Sequence, residues 1–145
     1  MKVSTKGRYA LRMLIDLAEM PRGEYIPLKN IAERQGISKK YLEQIVPILN
    51  KSEMLQTNRG YQGGYRLSKE LTAYTVGDIL RATEGGLVPV ACLGNNPKGC
   101  SRINECDTFY IWEGLEGVIH NYLNSITLQD ILDKKKQNYV LDYNI

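Results

Sequence analysis

Residues 28–55 read LKNIAERQGISKKYLEQIVPILNKSEML. Leu28, Ile31 and Ala32 recur at helical spacing, and Gly36 ends that short run. Ser38 stands where a helix cap is wanted, and Tyr41, Leu42, Ile45 and Leu49, with Ile48 beside them, share one face of a second, longer helix. Pro47 lies inside this second helix and is expected to bend it or shorten its first ordered part. A short helix, a three-residue break containing glycine and a longer helix form the helix-turn-helix pattern. An ordinary helical hairpin with a polar outer face has the same pattern, so the flanking sequence must discriminate.

Downstream, Met54–Arg59 and Tyr65-Arg66-Leu67 flank Gly60-Tyr61-Gln62-Gly63-Gly64. Two short strands around a glycine-rich turn predict a β-hairpin, and a hairpin directly after a helix-turn-helix is a wing. Lys39, Lys40, Glu43 and Gln44 then fall near the start of the second helix, where base edges are read. Lysine donates to guanine, glutamine pairs with adenine, and glutamate accepts from cytosine. Glycines let the hairpin tip approach a groove, with Tyr61 at the tip and Arg59, placed at the hairpin base, suited to a narrow A·T-rich minor groove. GYQGG is no phosphate cradle, because no GK[ST] follows and no helix opens there.

Upstream, Ser4 or Thr5 can cap a helix from Thr5 to about Met20. Ala10, Leu14, Leu17 and Ala18 form its inner face, Leu11 and Met13 flank it, and Lys6, Arg8 and Arg12 lie opposite. Pro21 and Gly23 break the chain, and Tyr25-Ile26-Pro27 is a short extended piece. Residues 1–70 carry 13 basic against 7 acidic residues, a net +6, whereas residues 71–145 carry 6 against 9, a net −3. A basic front half suits a polyanion partner, although a solvated surface accounts equally well for charge alone.

The back half opens with a linker, Leu71–Tyr74, and a helix capped by Thr75 whose inner side is Val76, Ile79, Leu80 and Thr83. Glu84-Gly85-Gly86 ends it. Leu87–Val90 is an extended lead. After Asp107 or Thr108, a helix to about Ser125 carries Phe109, Trp112, Leu115, Ile119, Tyr122 and Ile126. That stripe is too long for so small a domain to cover, and a second subunit or the first helix would bury it. Thr127 caps a short helix from Leu128 to about Lys136, and the tail NYVLDYNI is read as a weak strand or as disorder.

Between these helices runs CLGNNPKGCSRINEC, Cys92–Cys106, which holds the chain's three cysteines. Glycine, proline and paired asparagines make it a loop. An odd cysteine count argues against a disulfide framework, and the absence of an apolar signal region in MKVSTKGRYALRM fits a cytoplasmic, reducing setting. No apolar run reaches membrane-spanning length. The Cys-x7-Cys-x5-Cys spacing lacks the close pairs of structural zinc sites. An iron–sulfur cluster, another metal, or thiols acting as redox sensors remain open on spacing alone.

Five stretches together settle more than any one does: STKGRYAL (Ser4–Leu11), SKKYLEQI (Ser38–Ile45), RGYQGGYRL (Arg59–Leu67), VGDILRATEG (Val76–Gly85) and SITLQDIL (Ser125–Leu132). In order and spacing the chain resembles the family of winged-helix bacterial transcription regulators that includes IscR, NsrR and CymR. The resemblance implies a mainly α fold with a small β-hairpin wing: a winged helix-turn-helix domain plus a long dimerisation helix. It implies a cytoplasmic homodimer, away from the membrane, on double-stranded palindromic operator DNA. Lys40, Glu43 and Gln44 are the implied base readers and Arg59 the wing arginine. Cys92, Cys100 and Cys106 are the implied ligands of an iron–sulfur cluster, [2Fe–2S] first and [4Fe–4S] second.

The fourth ligand departs from the family pattern. IscR-like proteins carry a histidine where this chain has Phe109, and NsrR-like proteins an acidic residue where it has Arg8. Glu105, Asp107, Tyr110, water or a small thiol are the alternatives, and His120, some four turns into the long helix, reads as a surface or interface residue. The expected organisation is a DNA-binding domain (1–70), a connecting helix and hinge (71–91), the cysteine loop (92–106) and a dimerisation helix with tail (107–145). The expected activity is transcriptional regulation, as a repressor, answering to cluster, redox or nitric oxide status. A cluster-free CymR-like repressor controlled by a partner enzyme or thiol oxidation is the first alternative. An iron–sulfur carrier or electron-transfer protein is the second. An enzyme is not expected: the one histidine has no nucleophile placed beside it, and no nucleotide fingerprint is present.

Overall fold

The structure is a computed structural model that describes residues 1–94 and 99–143. Its elements are α1 (Thr5–Glu19), α2 (Leu28–Gln35), α3 (Lys39–Lys51), β1 (Leu55–Asn58), β2 (Gly64–Leu67), α4 (Val76–Glu84), α5 (Phe109–Asn124) and α6 (Leu128–Tyr143). Single 3₁₀ turns sit at Leu71–Ala73, Ala91–Leu93 and Ile103–Glu105. This is a mainly α fold with a small antiparallel hairpin.

Side-chain hydroxyls start α1, α3, α4 and α6. Ser4 Oγ accepts from the Gly7 N–H at 3.1 Å, Ser38 Oγ from Tyr41 at 3.1 Å and Thr75 Oγ1 from Asp78 at 3.0 Å. Each satisfies a donor that the first turn leaves without a partner. Gly36 (φ +61) and Gly85 (φ +74) end α2 and α4 in the left-handed conformation that glycine adopts freely. The helix α3 runs through Pro47 without interruption. The expected shortening does not occur: Pro47 is exposed, and four buried side chains of α3 (Leu42, Ile45, Val46, Leu49) hold the helix against the core despite the lost hydrogen bond.

The core is centred on α1, where Ala10, Met13 and Leu14 are fully buried; Met13, expected at the edge, lies in the middle. Ile31, Leu42, Ile45 and Leu49 from α2 and α3 pack into the same cluster, as do Ile79 of α4 and Leu128 of α6. Among the described residues, one charged side chain is buried with them. Asp16 is 2% exposed and accepts from Arg34 Nη2 at 2.6 Å and from Gln35 Nε2 at 3.0 Å. A buried carboxylate is tolerated only when so paired, and this pairing fastens α2 to α1.

The two ends of the back half meet. The Val76 N–H donates to the Ile126 carbonyl at 2.9 Å, and the Leu128 N–H to the Tyr74 carbonyl at 3.0 Å. Arg81 of α4 donates to Asn124 Oδ1 of α5 at 2.6 Å.

The C-terminal helix corrects the sequence reading. It continues to Tyr143 rather than ending near Lys136, so residues 137–143 are helix, not strand or disorder; Asn144 and Ile145 lie outside the described residues. The Thr127 N–H donates to Asp130 Oδ2 at 2.8 Å and the Asp130 N–H to Thr127 Oγ1 at 3.1 Å, a reciprocal cap. Leu128 and Leu132 anchor the first turns in the core. Once a helix is nucleated, a stretch free of glycine and proline extends it at little cost.

The helix α5 buries none of its residues. Its most exposed apolar side chains include Ile111, Leu115, Val118 and Tyr122, spaced four, three and four apart. This seam is not the one expected. Leu115 and Tyr122 belong to both, but Phe109, Trp112 and Ile119 are half-buried, and Ile111 and Val118 take their place outside.

Candidate nucleic-acid interface and cysteine segment

The outer face of α3 begins with Lys39, Lys40, Glu43 and Gln44, all exposed. Lys39 Nζ lies 3.9 Å from Glu43 Oε1, a solvated pair too weak to withhold either group from a ligand. The start of α3 is braced from behind. The Tyr9 and Tyr41 rings meet edge to face at 5.3 Å between centroids, and the Arg12 guanidinium lies 5.3 Å from the Tyr9 ring. Arg12 also donates to the Gln35 carbonyl, which holds the turn between α2 and α3 against α1.

The hairpin pairs Leu55 with Leu67 through Asn58 with Gly64. Ile26, in the extended piece before α2, adds a third short rung: its N–H donates to the Tyr65 carbonyl at 2.8 Å, and the Tyr65 N–H donates back at 2.9 Å. Gly64 is required here, because a Cβ would strike the Ile26 backbone carbonyl. At the tip the Gly63 N–H closes a turn onto the Gly60 carbonyl at 2.9 Å, with Gly60 at φ +125. Tyr61 projects fully into solvent. Arg59, expected at the hairpin base, instead opens the tip, one residue past the end of β1.

Between α3 and the wing lies a groove of about 490 Å³ whose lining includes Glu43, Pro47, Asn50, Arg59 and Tyr65. The structure therefore brings Glu43 and Arg59 to one concavity, with Lys39, Lys40 and Gln44 on the adjoining exposed turns and Tyr61 exposed on the hairpin tip. The sequence reading missed Asn50 and Thr57. Thr57 Oγ1 donates to Asn50 Oδ1 at 3.3 Å and ties β1 to α3. Asn50 follows Glu43 by seven residues, two helical turns, and that spacing could have placed it on the same face.

Cys92 is half-buried in the 3₁₀ turn Ala91–Leu93, and Cys100 and Cys106 are exposed. Residues 95–98 of the expected loop lie outside the described residues. The rest of the segment is turn-rich, with a 3₁₀ turn at Ile103–Glu105. Cys106 Sγ is 3.4 Å from Thr108 Oγ1. Hydrogen bonds from the Thr108 hydroxyl and then the Thr108 backbone hold the Cys106 thiol below its ordinary pKa. Among the described residues no three His, Cys, Asp or Glu side chains converge tightly enough to hold a metal ion. Chemically, three thiols in one segment, two of them exposed and one already tilted toward thiolate, are the soft donor set that iron–sulfur clusters take.

At the two positions where a fourth ligand was sought, Phe109 is half-buried at the first turn of α5, and Arg8 is exposed on α1 and bonded to Thr5. His120 Nε2 lies 2.8 Å from Asn124 Nδ2, at the junction of α5 with α4. No helix among the described residues is long and apolar enough to cross a membrane.

Residues 3–134 match the model of a family described as Rrf2, iron-dependent transcriptional regulator. The HTH-type transcriptional regulator IscR of Yersinia pseudotuberculosis is 36% identical over 135 residues, which cover 93% of this chain and 81% of that protein. Among solved structures, CymR, the global cysteine regulator of B. subtilis, superposes with a TM-score of 0.75 at 34% identity, over 92% of this chain and 98% of that one. The IscR of T. potens superposes with a TM-score of 0.73 at 36% identity, over 95% and 90%.

Proposed function

Because the chain belongs to the Rrf2 family of transcriptional regulators, we propose that it binds a palindromic double-stranded operator as a homodimer, as a repressor, and senses iron–sulfur status through Cys92, Cys100 and Cys106. The observation that carries the DNA reading is the groove shared by Glu43 and Arg59. A helix whose first two turns are exposed, polar and braced from behind is shaped to enter a major groove, and Lys39, Lys40, Glu43 and Gln44 are its base readers. Arg59 and Tyr61, on a glycine-built tip, then meet the flanking minor groove. In this reading residues 1–70 form the DNA-binding unit, 71–91 the connection, 92–106 the sensing segment and 107–145 the dimerisation arm. The seam Ile111, Leu115, Val118 and Tyr122 supports the homodimer: an apolar line at alternating four- and three-residue spacing is what a second helix covers.

Cys92, Cys100 and Cys106 are the residues that would hold the cluster. Bound there, an iron–sulfur cluster supplies a cross-link that is sensitive to oxygen, nitric oxide and iron supply. The chain's own part is to tie α4 and α5 to that segment. Cys92 lies in the stretch leaving α4, and Cys106 lies three residues before α5, so ordering the segment fixes the start of the dimerisation helix.

Two measurements test this. Operator affinity is expected to fall by about 0.9 log units per phosphate contact for each log unit of salt. Anaerobic reconstitution with iron and sulfide is expected to give a visible absorbance that each of Cys92→Ala, Cys100→Ala and Cys106→Ala diminishes. A full spectrum in all three variants removes the ligand assignment.

A second reading, a cluster-free regulator, is favoured by the superposition on CymR over 98% of that chain. It predicts colourless protein, free of iron and sulfide when purified without oxygen, whose operator affinity does not depend on the three cysteines.

A further inference from the structure

Tyr74 was read from the sequence as a linker residue, yet it is 2% exposed and is among the largest fully buried side chains. Its hydroxyl has four hydrogen-bond contacts at the root of the wing, one of them with Ser68 Oγ at 3.2 Å. It donates to the Met54 carbonyl at 2.7 Å, just before β1, and accepts from the N–H groups of Ser68 at 2.9 Å and Lys69 at 3.1 Å, just after β2. One phenol oxygen thus spans both legs of the hairpin. Ser68 Oγ completes the knot by donating to the Glu53 carbonyl at 2.5 Å. The other end of Tyr74 is fixed as well. Its carbonyl accepts from the Leu128 N–H at 3.0 Å, and its neighbour Thr75 forms an isolated antiparallel bridge with Thr127. Leu128 is fully buried, so this anchor does not move independently of the core.

We propose that Tyr74 is a positioning residue for DNA reading: its buried hydroxyl locks the wing root to the junction of α5 and α6 and so sets where Arg59 and Tyr61 meet the duplex. Two short strands joined by a glycine tip have little rigidity of their own. Thr57 steadies the outer half against α3 and the Ile26 rung steadies β2, while below the sheet the Tyr74 oxygen joins the two legs alongside the Ser68 bonds to the Met54 and Glu53 carbonyls. A phenol buried without a partner is costly, and here all its hydrogen-bonding capacity goes to the wing. The connection also couples the wing to the start of α6, since Tyr74 touches both. This inference rests on the proposed DNA reading.

The test is a double-mutant cycle of Tyr74→Phe and Arg59→Ala in the full-length protein, read as affinity for a palindromic duplex with A·T-rich flanks. Tyr74→Phe keeps the ring and removes only the oxygen. It is expected to weaken binding about fivefold in the wild-type background, the order of one lost hydrogen bond, and to have no further effect once Arg59 is alanine. It is also expected to reduce the preference for A·T-rich over G·C-rich flanks, which a general loss of stability would not do. Equal weakening in both backgrounds, or none in either, overturns the proposal. If Arg59→Ala itself changes nothing while binding remains salt-dependent, the wing is not a reader and the proposal falls with it. Absence of specific binding by the wild type instead overturns the DNA reading on which both stand. Should Tyr74→Phe melt below the assay temperature, amide exchange of the wild type decides. The Ser68 and Lys69 amides are expected to exchange far more slowly than those of Tyr61 and Gln62, and equal rates sink the idea.

Discussion

The helices α3 and α5 stand at opposite extremes of burial, although α5 is the more apolar of the two. In α3, Leu42, Ile45, Val46 and Leu49 are buried and the charged residues face out. In α5 no residue is buried, and Ile111, Leu115, Val118 and Tyr122 face solvent in the single chain. The difference teaches that the first helix is finished by its own fold and the second is not. The front half of the molecule is a closed core with a polar outer face, whereas α5 carries an apolar face left uncovered within the single chain.

Four substitutions probe that contrast, from the largest expected effect downward. Leu42→Ala empties a fully buried site and is expected to cost about 2–5 kcal/mol in urea unfolding. A loss under about 0.5 kcal/mol would mean that α3 is not held by the core. Gly64→Ala forces a methyl group into the Ile26 carbonyl and is expected to cost about 1–3 kcal/mol, because the obstacle is backbone. The same unfolding experiment reads it, and unchanged stability would show that Ile26 and the wing are not tightly joined. Val118→Lys, at a position 66% exposed, should leave subunit stability within about 0.5 kcal/mol. It should nevertheless convert the proposed dimer to monomer in sedimentation velocity. An unchanged sedimentation coefficient would remove α5 as the arm's contact surface.

The smallest effect is electrostatic. Hydrogen bonds from the Thr127 backbone and hydroxyl hold Asp130 below the ordinary carboxylate range. A carboxylate depressed in the folded state stabilises fully above the unfolded value of about 3.9, and that stabilisation is lost as pH falls through the lower folded value. An NMR titration of the Asp130 side chain is expected to show a midpoint below about 3.9. Thr127→Val, which removes the hydroxyl and keeps the backbone donor, should raise it part of the way, and an unshifted midpoint in the wild type would take the cap at the start of α6 out of the account.

Legibility along the chain followed the range of the interactions. Ser4, Ser38 and Thr75 as caps, and Gly36 and Gly85 as terminators, act over three to five residues, so the sequence displays them directly. The inner faces of α1 and α3 were legible for the same reason, although Met13 was placed at the edge of a face whose centre it occupies. The shortening expected at Pro47 and the tail were misread because each was judged by local propensity. Packing of Leu42, Ile45 and Leu49 overrode the first, and the anchoring of Leu128 and Leu132 overrode the second. The Asp16–Arg34 pair, the Thr57–Asn50 tie and the Tyr74 strut join residues 7 to 20 positions apart, and no periodicity announces them.

By itself the sequence determined the family, the order of helix, turn, helix and wing, and the trio Cys92, Cys100 and Cys106, because motifs, caps and periodicities are written in neighbouring residues. Only the tertiary structure decided that Arg59 stands at the wing tip, that Tyr74 binds the wing to the α5–α6 junction, and which apolar line of α5 is left uncovered. Those outcomes depend on which surfaces meet, and burial is a property of the folded chain as a whole rather than of any stretch of it.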